Sequence, residues 1–394
     1  FLILIYNLLK LKTIIMTQIK GFKDFYLLTE SVVSKGFKII PEGSSLPTSG
    51  IVKFGVDPTG PDLHLGHLIP ILMVKKLKEQ GMSVQIVLGT YTAMLGDPSG
   101  KDQTRQMLSS SQTKANADKL ISQLERILGT DININFNNEW FDKMSMTDLL
   151  QILSKYTVDY LMSRDAFQKR QESGATIGMH ELIVPLLQGL DSVELKANVE
   201  VGGSDQLFNF LLSREVQTKA GQEPEICVMA PIINGTDGRK MSKTFGNCIY
   251  VNDPSKDVFG KVMSISDDTM REWYPLFVES YDAKEHPMKL KKALAVHITN
   301  IIWPGKGEDE LKGFESQFQK GVLPDNIPVY PKSDIVSFVS TMTKGSKSAT
   351  RTLLQQGAVT VIRDGSDQKI NDIAFQLNSG DIVKSGKRNY GQVE

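Results

Sequence analysis

Residues 51–67 read IVKFGVDPTGPDLHLGH, and the fold class follows from this stretch and its neighbours. Ile51–Val56 is a short apolar run that predicts a buried strand, and the breaker run DPTGPD ends it. Leu65–Gln80 then carries apolar residues at helical spacing, up to Gly81. A second apolar run at Val84–Leu88 predicts the next strand. This strand–turn–helix–strand order predicts an α/β protein with a parallel sheet.

The length of the chain and the changes in its pattern predict several domains. A chain of 394 residues is longer than one hydrophobic core usually serves. Strand patterning is lost after about residue 255, and Pro324, Pro328 and Pro331 indicate a linker. We predict an N-terminal segment (1–40), an α/β domain (41–255) with a helical insertion (about 105–195), an all-helical domain (256–325) and a small, basic C-terminal domain (332–394).

The composition is that of an ordinary globular protein. Hydrophobic residues make up 40% and charged residues 23%, which excludes collagen-like, disordered and multi-span membrane proteins. The chain has 45 Lys and Arg residues and 45 Asp and Glu residues, so its net charge is zero. No overall positive potential therefore indicates a nucleic-acid partner, although a basic patch on one domain would suffice to bind one. Cys227 and Cys248 predict neither a disulfide framework nor a metal cluster, and they fit a reducing, cytoplasmic location.

The first fifteen residues, FLILIYNLLKLKTII, are mostly apolar. Their apolar run is too short to span a bilayer, and it has no small-residue cleavage site of a secretory signal. We expect translation to begin at Met16, so that residues 1–15 are not part of the protein. The alternative is an atypical targeting leader, which would place the protein in a mitochondrion or another organelle.

Two histidines flank a glycine where the first helix is predicted to begin. His64 and His67 are three residues apart, so their side chains share one face of that helix. Gly66 leaves room for a flat ligand to approach the backbone, and the N-terminus of a helix favours phosphate. The pattern HLGH therefore predicts a phosphate-binding site. The alternative is a helix cap with two incidental histidines.

A cationic loop follows about 175 residues later, in the run G235-T-D-G-R-K-M-S-K-T244. Arg239, Lys240 and Lys243 place three cations within five residues, which is most often a solvated surface. The pairing of HLGH after the first strand with KMSKT after the last one is far more specific. It resembles the HIGH and KMSKS signatures of class I aminoacyl-tRNA synthetases, in which both segments grip ATP.

Further stretches narrow the resemblance to bacterial-type tyrosyl-tRNA synthetases. The stretches are VKFGVDPT, LGDPSGK, LLQGLDS and VGGSDQ, and the similarity runs from about Lys53 to the C-terminus. The tail, with SKSATRTLLQQGAV and GDIVKSGKR, is similar to an S4-type RNA-binding domain. The resemblance implies a Rossmann-like catalytic domain with a helical insertion, a helical tRNA-contacting domain, a small α+β S4-like domain, and a homodimer joined through the insertion.

The resemblance also implies a reaction in two steps: tyrosine is activated with ATP, and the tyrosyl group then passes to tRNA(Tyr). A substrate carboxylate is ionised at neutral pH and needs no general base, so catalysis consists of positioning and charge stabilisation. Mg²⁺ would arrive with ATP, with no resident metal or prosthetic group. By resemblance, the catalytic residues are Thr59, His64, His67, Lys240 and Lys243, and the ATP-binding residues are Gly55, Asp57, Gly66, Gly203, Asp205 and Met241.

The resemblance assigns five residues to tyrosine. Asp97 and Gln188 would bind the ammonium group, and Gln206 the carboxylate. Asp191 would accept a hydrogen bond from the phenol hydroxyl, with Lys53 beside it. A site built to bind a hydroxyl in this way rejects the analogue that lacks it by about 10⁴–10⁵-fold.

The predicted C-terminal domain is basic. Residues 331–394 carry nine Lys/Arg and six Asp/Glu, a net charge of +3 on a neutral protein. Basic side chains on a small domain suit contacts with RNA phosphates, and a solvated tail is the alternative. The residues that match the S4-like pattern and would bind RNA are Lys347, Arg351, Lys387 and Arg388.

Two departures keep other functions open. Val184 and Leu190 stand where much of the family has tyrosine, so a divergent paralogue that activates another amino acid remains an alternative. A second alternative is a nucleotidyltransferase that adenylylates a metabolite without using tRNA. A third is an RNA-binding protein without catalysis, which the intact signature residues disfavour.

Overall fold

The computed structural model describes residues 29–95, 109–278, 281–318, 327–363, 366–386 and 389–394. These residues belong to two compact units, one that ends at Gly307 and one that begins at Glu308. The segment 1–15, for which we expect an upstream origin, lies outside the described residues, as does Met16.

The first unit is built on a six-stranded sheet. Its strands are β1 (Lys38–Ile40), β2 (Ile51–Val56), β3 (Ser83–Leu88), β4 (Asn133–Phe136), β5 (Val199–Gly203) and β6 (Ile226–Ala230). Their order in the sheet is β1-β6-β5-β2-β3-β4. Five strands run parallel, and β1 pairs with β6 in the antiparallel direction. The predicted α/β class with a parallel, Rossmann-like sheet is confirmed.

Helices separate and follow these strands in the chain, and the last of them, α13, begins at Gly307 and belongs mostly to the second unit. They are α1 (Leu65–Glu79), α2 (Thr90–Leu95), α3 (Ser110–Leu128), α4 (Asn138–Phe141), α5 (Met146–Leu153), α6 (Val158–Met162), α7 (Asp165–Glu172), α8 (Met179–Leu195), α9 (Leu207–Lys219), α10 (Ser255–Met263), α11 (Asp267–Phe277), α12 (Pro287–Ile302) and α13 (Gly307–Phe318). In α1 the apolar stripe that predicts the helix is buried, with Leu65, Leu68 and Ile71 each at 0% exposure. Burial of such a stripe is what stabilises an amphipathic helix.

The interval expected to be a mostly helical insertion, about 105–195, also contains strand β4. This strand pairs in parallel with β3, from Gln85–Asn133 to Leu88–Phe136. Its sequence, NINF, alternates polar and apolar residues, which is the period of a half-buried strand. Four residues were too short a run to outweigh the helical patterns on either side, and pairing with β3 decides the local structure.

The order of the strands defines a switch point in the sheet. From β2 the chain moves outward through β3 and β4, whereas β5 and β6 extend the sheet on the other side of β2. Ligands of open α/β sheets bind at the carboxyl ends of the strands where the order reverses. The segments that follow β2 and β5 therefore lie where a nucleotide would bind.

The second unit has its own sheet and core. The sheet order is β7-β11-β10-β8-β9, with strands β7 (Val329–Tyr330), β8 (Val359–Arg363), β9 (Ser366–Ile370), β10 (Ile382–Ser385) and β11 (Asn389–Val393). Helices α14 (Ile335–Thr343) and α15 (Lys347–Gln355) supply Ile335, Phe338 and Leu354 to the core, together with strand residues such as Val361 and Val383. Within the described ranges, no helix is both long and apolar enough to cross a bilayer.

Candidate active site

The segment after β2 is fixed against the segment after β3 by Asp57. The Oδ1 atom of Asp57 accepts a hydrogen bond from the Thr92 hydroxyl at 2.8 Å. A Cβ at Gly89 would lie 1.8 Å from the same oxygen, so a side chain at this position would displace the carboxylate. At Gly55 no described atom lies within 4 Å of the Cβ position, which leaves the backbone open to a ligand.

The segment after β5 presents a second carboxylate at the same edge of the sheet. Asp205 is exposed in a short 3-10 turn, Ser204–Gln206. A Cβ at Gly203 would lie 2.5 Å from its Oδ1 atom, so glycine is the residue that lets Asp205 fold back on the strand end. The carboxyl ends of β2 and β5, which border the switch point, thus each carry an aspartate near a glycine. The carboxylates can accept hydrogen bonds from a nucleotide at this edge of the sheet.

The side chains of His64 and His67 cap helix α1 by accepting hydrogen bonds from backbone N–H groups of its first turn. The His64 Nδ1 atom accepts from the Gly66 N–H at 3.2 Å, and the His67 Nδ1 atom accepts from the His64 N–H at 3.2 Å. The ring centroids are 3.9 Å apart. Since Nδ1 is the acceptor in both rings, a neutral ring carries its proton on Nε2. Each histidine is thereby held as an Nε2–H donor at the positive end of a helix.

Both rings are neutral at physiological pH. Burial, with the nearby Lys243 ammonium, lowers the pKa of His64 to about 4. Burial lowers the pKa of His67 well below its usual value, and His64 and Lys243 lower it further. The pair therefore offers oriented N–H groups rather than positive charge, and such groups stabilise negative charge on phosphate oxygens.

The cationic loop reaches the histidines through a backbone connection. The N–H of Leu65 donates to the Ile249 carbonyl at 3.0 Å, and the N–H of Val251 donates to the Leu63 carbonyl at 2.8 Å. His64 and Tyr250 form the antiparallel bridge between these two bonds. The two segments, far apart in sequence, are thus joined main chain to main chain.

Lys243 and Met241 lie on the side of the loop that faces α1. The Lys243 ammonium donates to the Asp62 carbonyl at 3.0 Å. A Cβ at Gly60 would lie 3.0 Å from the Lys243 Nζ atom, so the ammonium lies over the turn after β2. Met241 is buried, and its Sδ atom would lie 4.0 Å from a Cβ at Gly66.

Asn247 holds the cationic loop in shape. Its Oδ1 atom accepts from the Ser242 N–H at 2.9 Å, and its Nδ2 atom donates to the Asp237 Oδ1 atom at 2.7 Å. The same Nδ2 atom is 3.2 Å from the carbonyl oxygens of Arg239 and Lys240. Lys240 itself is exposed. Hydrogen bonds within the cationic loop therefore fix its shape. Lys243 lies at the turn after β2, and Lys240 is exposed to solvent.

Asp191 lies at the base of a second part of the site. Its side chain is 5% exposed, and it accepts from the Trp140 Nε1–H at 3.0 Å and from the Asn137 Nδ2 atom at 3.5 Å. Burial raises the pKa of Asp191 to about 7, although Lys53 and the two hydrogen bonds oppose the rise. A carboxylate in this setting is a strong acceptor for a buried hydroxyl.

Lys53 does not reach open space. Its side chain is 2% exposed, and its ammonium contacts Glu200 Oε1 at 2.8 Å, the Gln188 carbonyl at 3.1 Å and the Ser192 hydroxyl at 2.5 Å. Gln188 is partly buried on the same helix as Asp191. The structure thus brings Lys53, Gln188 and Asp191 together. The Lys53 ammonium lies between helix α8 and strand β5, where it contacts both, and it does not open onto solvent.

The remaining sequence-predicted residues divide into three groups. Thr59 is partly buried, with its N–H donating to the Asp57 carbonyl, and the Gln206 Oε1 atom accepts from Asn209 at 2.7 Å. Lys347 and Arg351 belong to the second unit, exposed one turn apart on α15. The residues outside the described ranges are Asp97, Lys387 and Arg388.

Several residues of the site have no motif that would have indicated them. Trp140 and Asn137 lie in and beside the short helix α4, where the sequence shows only a polar break before an aromatic pair. Thr92 follows β3 by four residues, at the carboxyl end of a strand, which is the one general signal available. Asn247 follows the lysines of the cationic loop closely enough that a local contact could be expected.

Comparison with known proteins gives the same family by two routes. The family model described as tRNA synthetases class I (W and Y) matches residues 48–301. The tyrosine–tRNA ligase of Thermotoga maritima is 38% identical over 87% of this chain and 90% of its own length. That of Oleidesulfovibrio alaskensis is 37% identical over 86% and 90%.

Solved structures share the fold at lower identity. A C-terminally truncated mitochondrial tyrosyl-tRNA synthetase of Aspergillus nidulans aligns with a TM-score of 0.57 at 23% identity, over 70% of this chain and 86% of that one. The tyrosyl-tRNA synthetase of Archaeoglobus fulgidus, solved with L-tyrosine, gives 0.54 at 20%, over 72% and 99%. Taken with the geometry of the two signature segments, these similarities confirm the resemblance: the chain belongs to the bacterial-type tyrosyl-tRNA synthetases, within the class I aminoacyl-tRNA synthetases.

Proposed function

We propose that the cleft between HLGH and KMSKT joins tyrosine to ATP and then passes the tyrosyl group to the 3′ end of tRNA(Tyr). In the first step the tyrosine carboxylate forms a bond to the α-phosphorus, and the bond from that phosphorus to the β-phosphate oxygen breaks. Tyrosyl-adenylate and pyrophosphate result. In the second step a ribose hydroxyl of the tRNA attacks the tyrosyl carbonyl and AMP leaves.

The observation that carries this proposal is the locked pair of histidines beside Lys243. The rings of His64 and His67 are fixed by their Nδ1 hydrogen bonds, so their Nε2–H groups need no reorganisation when charge develops on phosphate. Lys243 approaches from the other segment, at the turn after β2. Lys240 and Thr59 complete the contacts with the phosphates, and Mg²⁺ enters with ATP as its counterion.

The remaining roles are those that the family resemblance implies. Asp57 and Asp205, with the glycines beside them, bind the nucleotide at the ends of β2 and β5. Gln188 and Asp97 bind the ammonium of tyrosine, Gln206 binds its carboxylate, and Asp191 accepts the phenol hydroxyl. The hydrogen bonds that Trp140 and Asn137 donate to Asp191 support that last role, because they fix the position of the carboxylate before the substrate binds.

Pyrophosphate exchange into ATP, measured separately with each of the twenty amino acids, tests the proposal directly. We expect exchange with tyrosine and none above background with phenylalanine or tryptophan. Exchange with another amino acid and not with tyrosine would assign the chain to a paralogue with a different substrate. Exchange only with a metabolite, and no charging of tRNA, would overturn the synthetase function.

We also propose that the protein is a homodimer joined through the insertion. Helix α5 buries none of its residues, although its sequence MTDLLQIL is apolar along one side. Neighbouring helices leave further large apolar side chains exposed, which is typical of a protein interface. These side chains are Met146, Leu150, Val158, Tyr160, Met179, Leu207 and Leu211. We expect light scattering to give a dimer mass for the wild type and a monomer mass for Leu150→Glu; a wild-type monomer would overturn this assembly.

Residues 332–394, within the second unit, are proposed to be an S4-like RNA-binding domain. Lys347 and Arg351 are exposed on one face of α15, where two cations can contact successive phosphates of an RNA backbone. Filter binding of tRNA(Tyr) to the full chain tests this proposal. We expect affinity to fall as salt rises, since phosphate contacts release counterions.

A further inference from the structure

Three charged side chains are buried behind helix α8, where the sheet meets it. Lys53 on β2 lies opposite Glu200 on β5 in the strand register, at 2% and 8% exposure. Glu225, immediately before β6, is 1% exposed. Charged residues are almost never buried to this extent unless they are paired. We call Lys53, Glu200 and Glu225 the buried charge cluster.

The buried charge cluster holds one turn of α8. The Lys53 ammonium donates to the Gln188 carbonyl and to the Ser192 hydroxyl, which in turn donates to Glu225 Oε1 at 2.9 Å. Gln188 and Ser192 bracket Asp191 on this helix. The cluster therefore fixes the backbone turn from which the proposed acceptor of the phenol hydroxyl extends.

The charges within the cluster balance. Burial, together with the neighbouring Glu200 carboxylate, raises the pKa of Glu225 well above its usual value, which favours its protonated form. Burial alone would lower the pKa of Lys53, but Glu200, Glu225 and Asp191 more than offset it, and the pKa is raised. The Lys53 ammonium and the Glu200 carboxylate form an ion pair at 2.8 Å, and the ammonium also interacts electrostatically with Asp191 at the base of the amino-acid site.

Asp191 depends on that ammonium. Burial is the main cause of its raised pKa of about 7, and the Asp57 carboxylate adds to the rise. Lys53 from β2, and Trp140 and Asn137 beside it, act in the opposite direction. Glu200 and Glu225 face Lys53 rather than Asp191, and Arg214 donates to the backbone carbonyl of Glu225. Loss of the ammonium would raise the pKa of Asp191 further and favour its protonated form.

We propose that Lys53 and Glu200 are positioning residues that hold the turn of α8 that carries Asp191 and favour its carboxylate as the acceptor of the phenol hydroxyl, and that this pair thereby sets the preference for tyrosine over phenylalanine. The inference rests on the proposed activation of tyrosine. A hydroxyl donates about twice as strongly to a carboxylate as to a neutral acceptor. Phenylalanine makes no such bond, so a protonated Asp191 penalises tyrosine alone.

The test compares Lys53→Met with the wild type in pyrophosphate exchange between pH 5.5 and 9. For the variant we expect the KM for tyrosine to rise about tenfold or more, with the KM for ATP within about twofold. The acidic limb of kcat/KM for tyrosine should move upward by about one pH unit or more, and the ratio of tyrosine to phenylalanine should fall.

Two further variants keep the inference testable if Lys53→Met folds poorly. Lys53→Met/Glu200→Gln removes both charges of the pair, so Glu200 is not left as a buried carboxylate without its partner, and the variant should show the same shift of the acidic limb with better stability than Lys53→Met. Arg170→Met/Glu181→Gln removes another buried ion pair at the start of α8 and should leave the limb in place. A wild-type limb and a wild-type tyrosine preference in the Lys53→Met/Glu200→Gln variant would overturn the inference while leaving tyrosine activation intact. A wild type without tyrosine exchange would overturn both.

Discussion

Asp57 and Asp191, which we assign to the nucleotide and to the tyrosine hydroxyl, are joined by a chain of hydrogen bonds through two buried side chains. The Thr92 hydroxyl donates to Asp57 at 2.8 Å, and the Asn137 amide lies 3.3 Å from Thr92 and 3.5 Å from Asp191. Thr92 and Asn137 are 1% and 0% exposed. The two halves of the site therefore share one polar network.

Thr92→Val should affect both substrates, although the residue is assigned to neither. The substitution leaves Asp57 and Asn137 each without one buried partner, at a cost of about 1–3 kcal/mol in the free energy of unfolding. We expect KM values for ATP and tyrosine to rise together, and a double-mutant cycle with Asn137→Ala to be non-additive. Additive effects on the two KM values would show that the network does not connect the sites.

His64→Ala and Lys243→Ala should each slow the formation of tyrosyl-adenylate by about two orders of magnitude or more, because each removes a group that stabilises charge on phosphate. The affinity for tyrosine should change little. Rapid quench under single-turnover conditions at saturating ATP measures the step. A rate within about tenfold of the wild type would contradict the assigned roles.

The His64 ring should make stability depend on pH. Its folded pKa of about 4 lies below the usual value of 6.5, so the unfolded chain binds more protons between these values. The stabilisation is complete above pH 6.5 and is lost as pH falls toward 4, by an amount on the order of 2–4 kcal/mol. Urea unfolding across this pH range measures the free energy of unfolding, which should depend less on pH in His64→Asn than in the wild type. Asparagine keeps a helix-capping side chain but does not titrate there. Equal slopes would show that His64 is not the group responsible.

Asp191→Ala should damage tyrosine activation far more than phenylalanine activation. In the wild type, tyrosine should exceed phenylalanine by thousands-fold in kcat/KM, because the buried acceptor is left unpaired by phenylalanine. Exchange kinetics with both amino acids give the ratio for wild type, Asp191→Ala and Asp191→Asn. If Asp191→Ala kept the wild-type ratio of kcat/KM for tyrosine over phenylalanine, another residue would have to recognise the hydroxyl.

Truncation after Asn326 should separate activation from transfer. We expect tyrosyl-adenylate formation to remain nearly intact and charging of tRNA(Tyr) to fall sharply. In the full chain, Lys347→Ala/Arg351→Ala should weaken tRNA binding and reduce the slope of affinity against salt, since two phosphate contacts are lost. Normal charging by the truncated enzyme would show that residues 327–394 do not bind the RNA.

Much of the α/β unit could be predicted from local pattern, and the reason is its periodicity. Strand Ile51–Val56 begins and ends where its apolar run does, and the run Val84–Leu88 matches strand Ser83–Leu88 to within one residue. β4 was missed because four alternating residues carry too little pattern, and its pairing with β3 is non-local. Helix ends moved by one or two residues, as caps usually make them do.

The candidate site was predictable where a motif carries the chemistry and not where tertiary packing does. HLGH and KMSKT are short segments with special residues, so sequence alone indicates them. Trp140 and Asn137 acquire their role only because β4 and α4 bring them to Asp191. Lys53 was expected at the phenol hydroxyl, whereas its ammonium is held by Glu200 and by α8, a pairing that depends on strand register.

The backbone connection between Leu63–Leu65 and Ile249–Val251 makes the position of the histidines relative to the cationic loop independent of the length of the intervening chain. Two main-chain hydrogen bonds, and not the roughly 180 intervening residues, set the distance from the histidines to the lysines. Loops between these segments can lengthen or shorten without moving either of them. Since the bonds use main-chain atoms only, they keep the two halves of the catalytic apparatus in register without any contribution from the side chains at this seam.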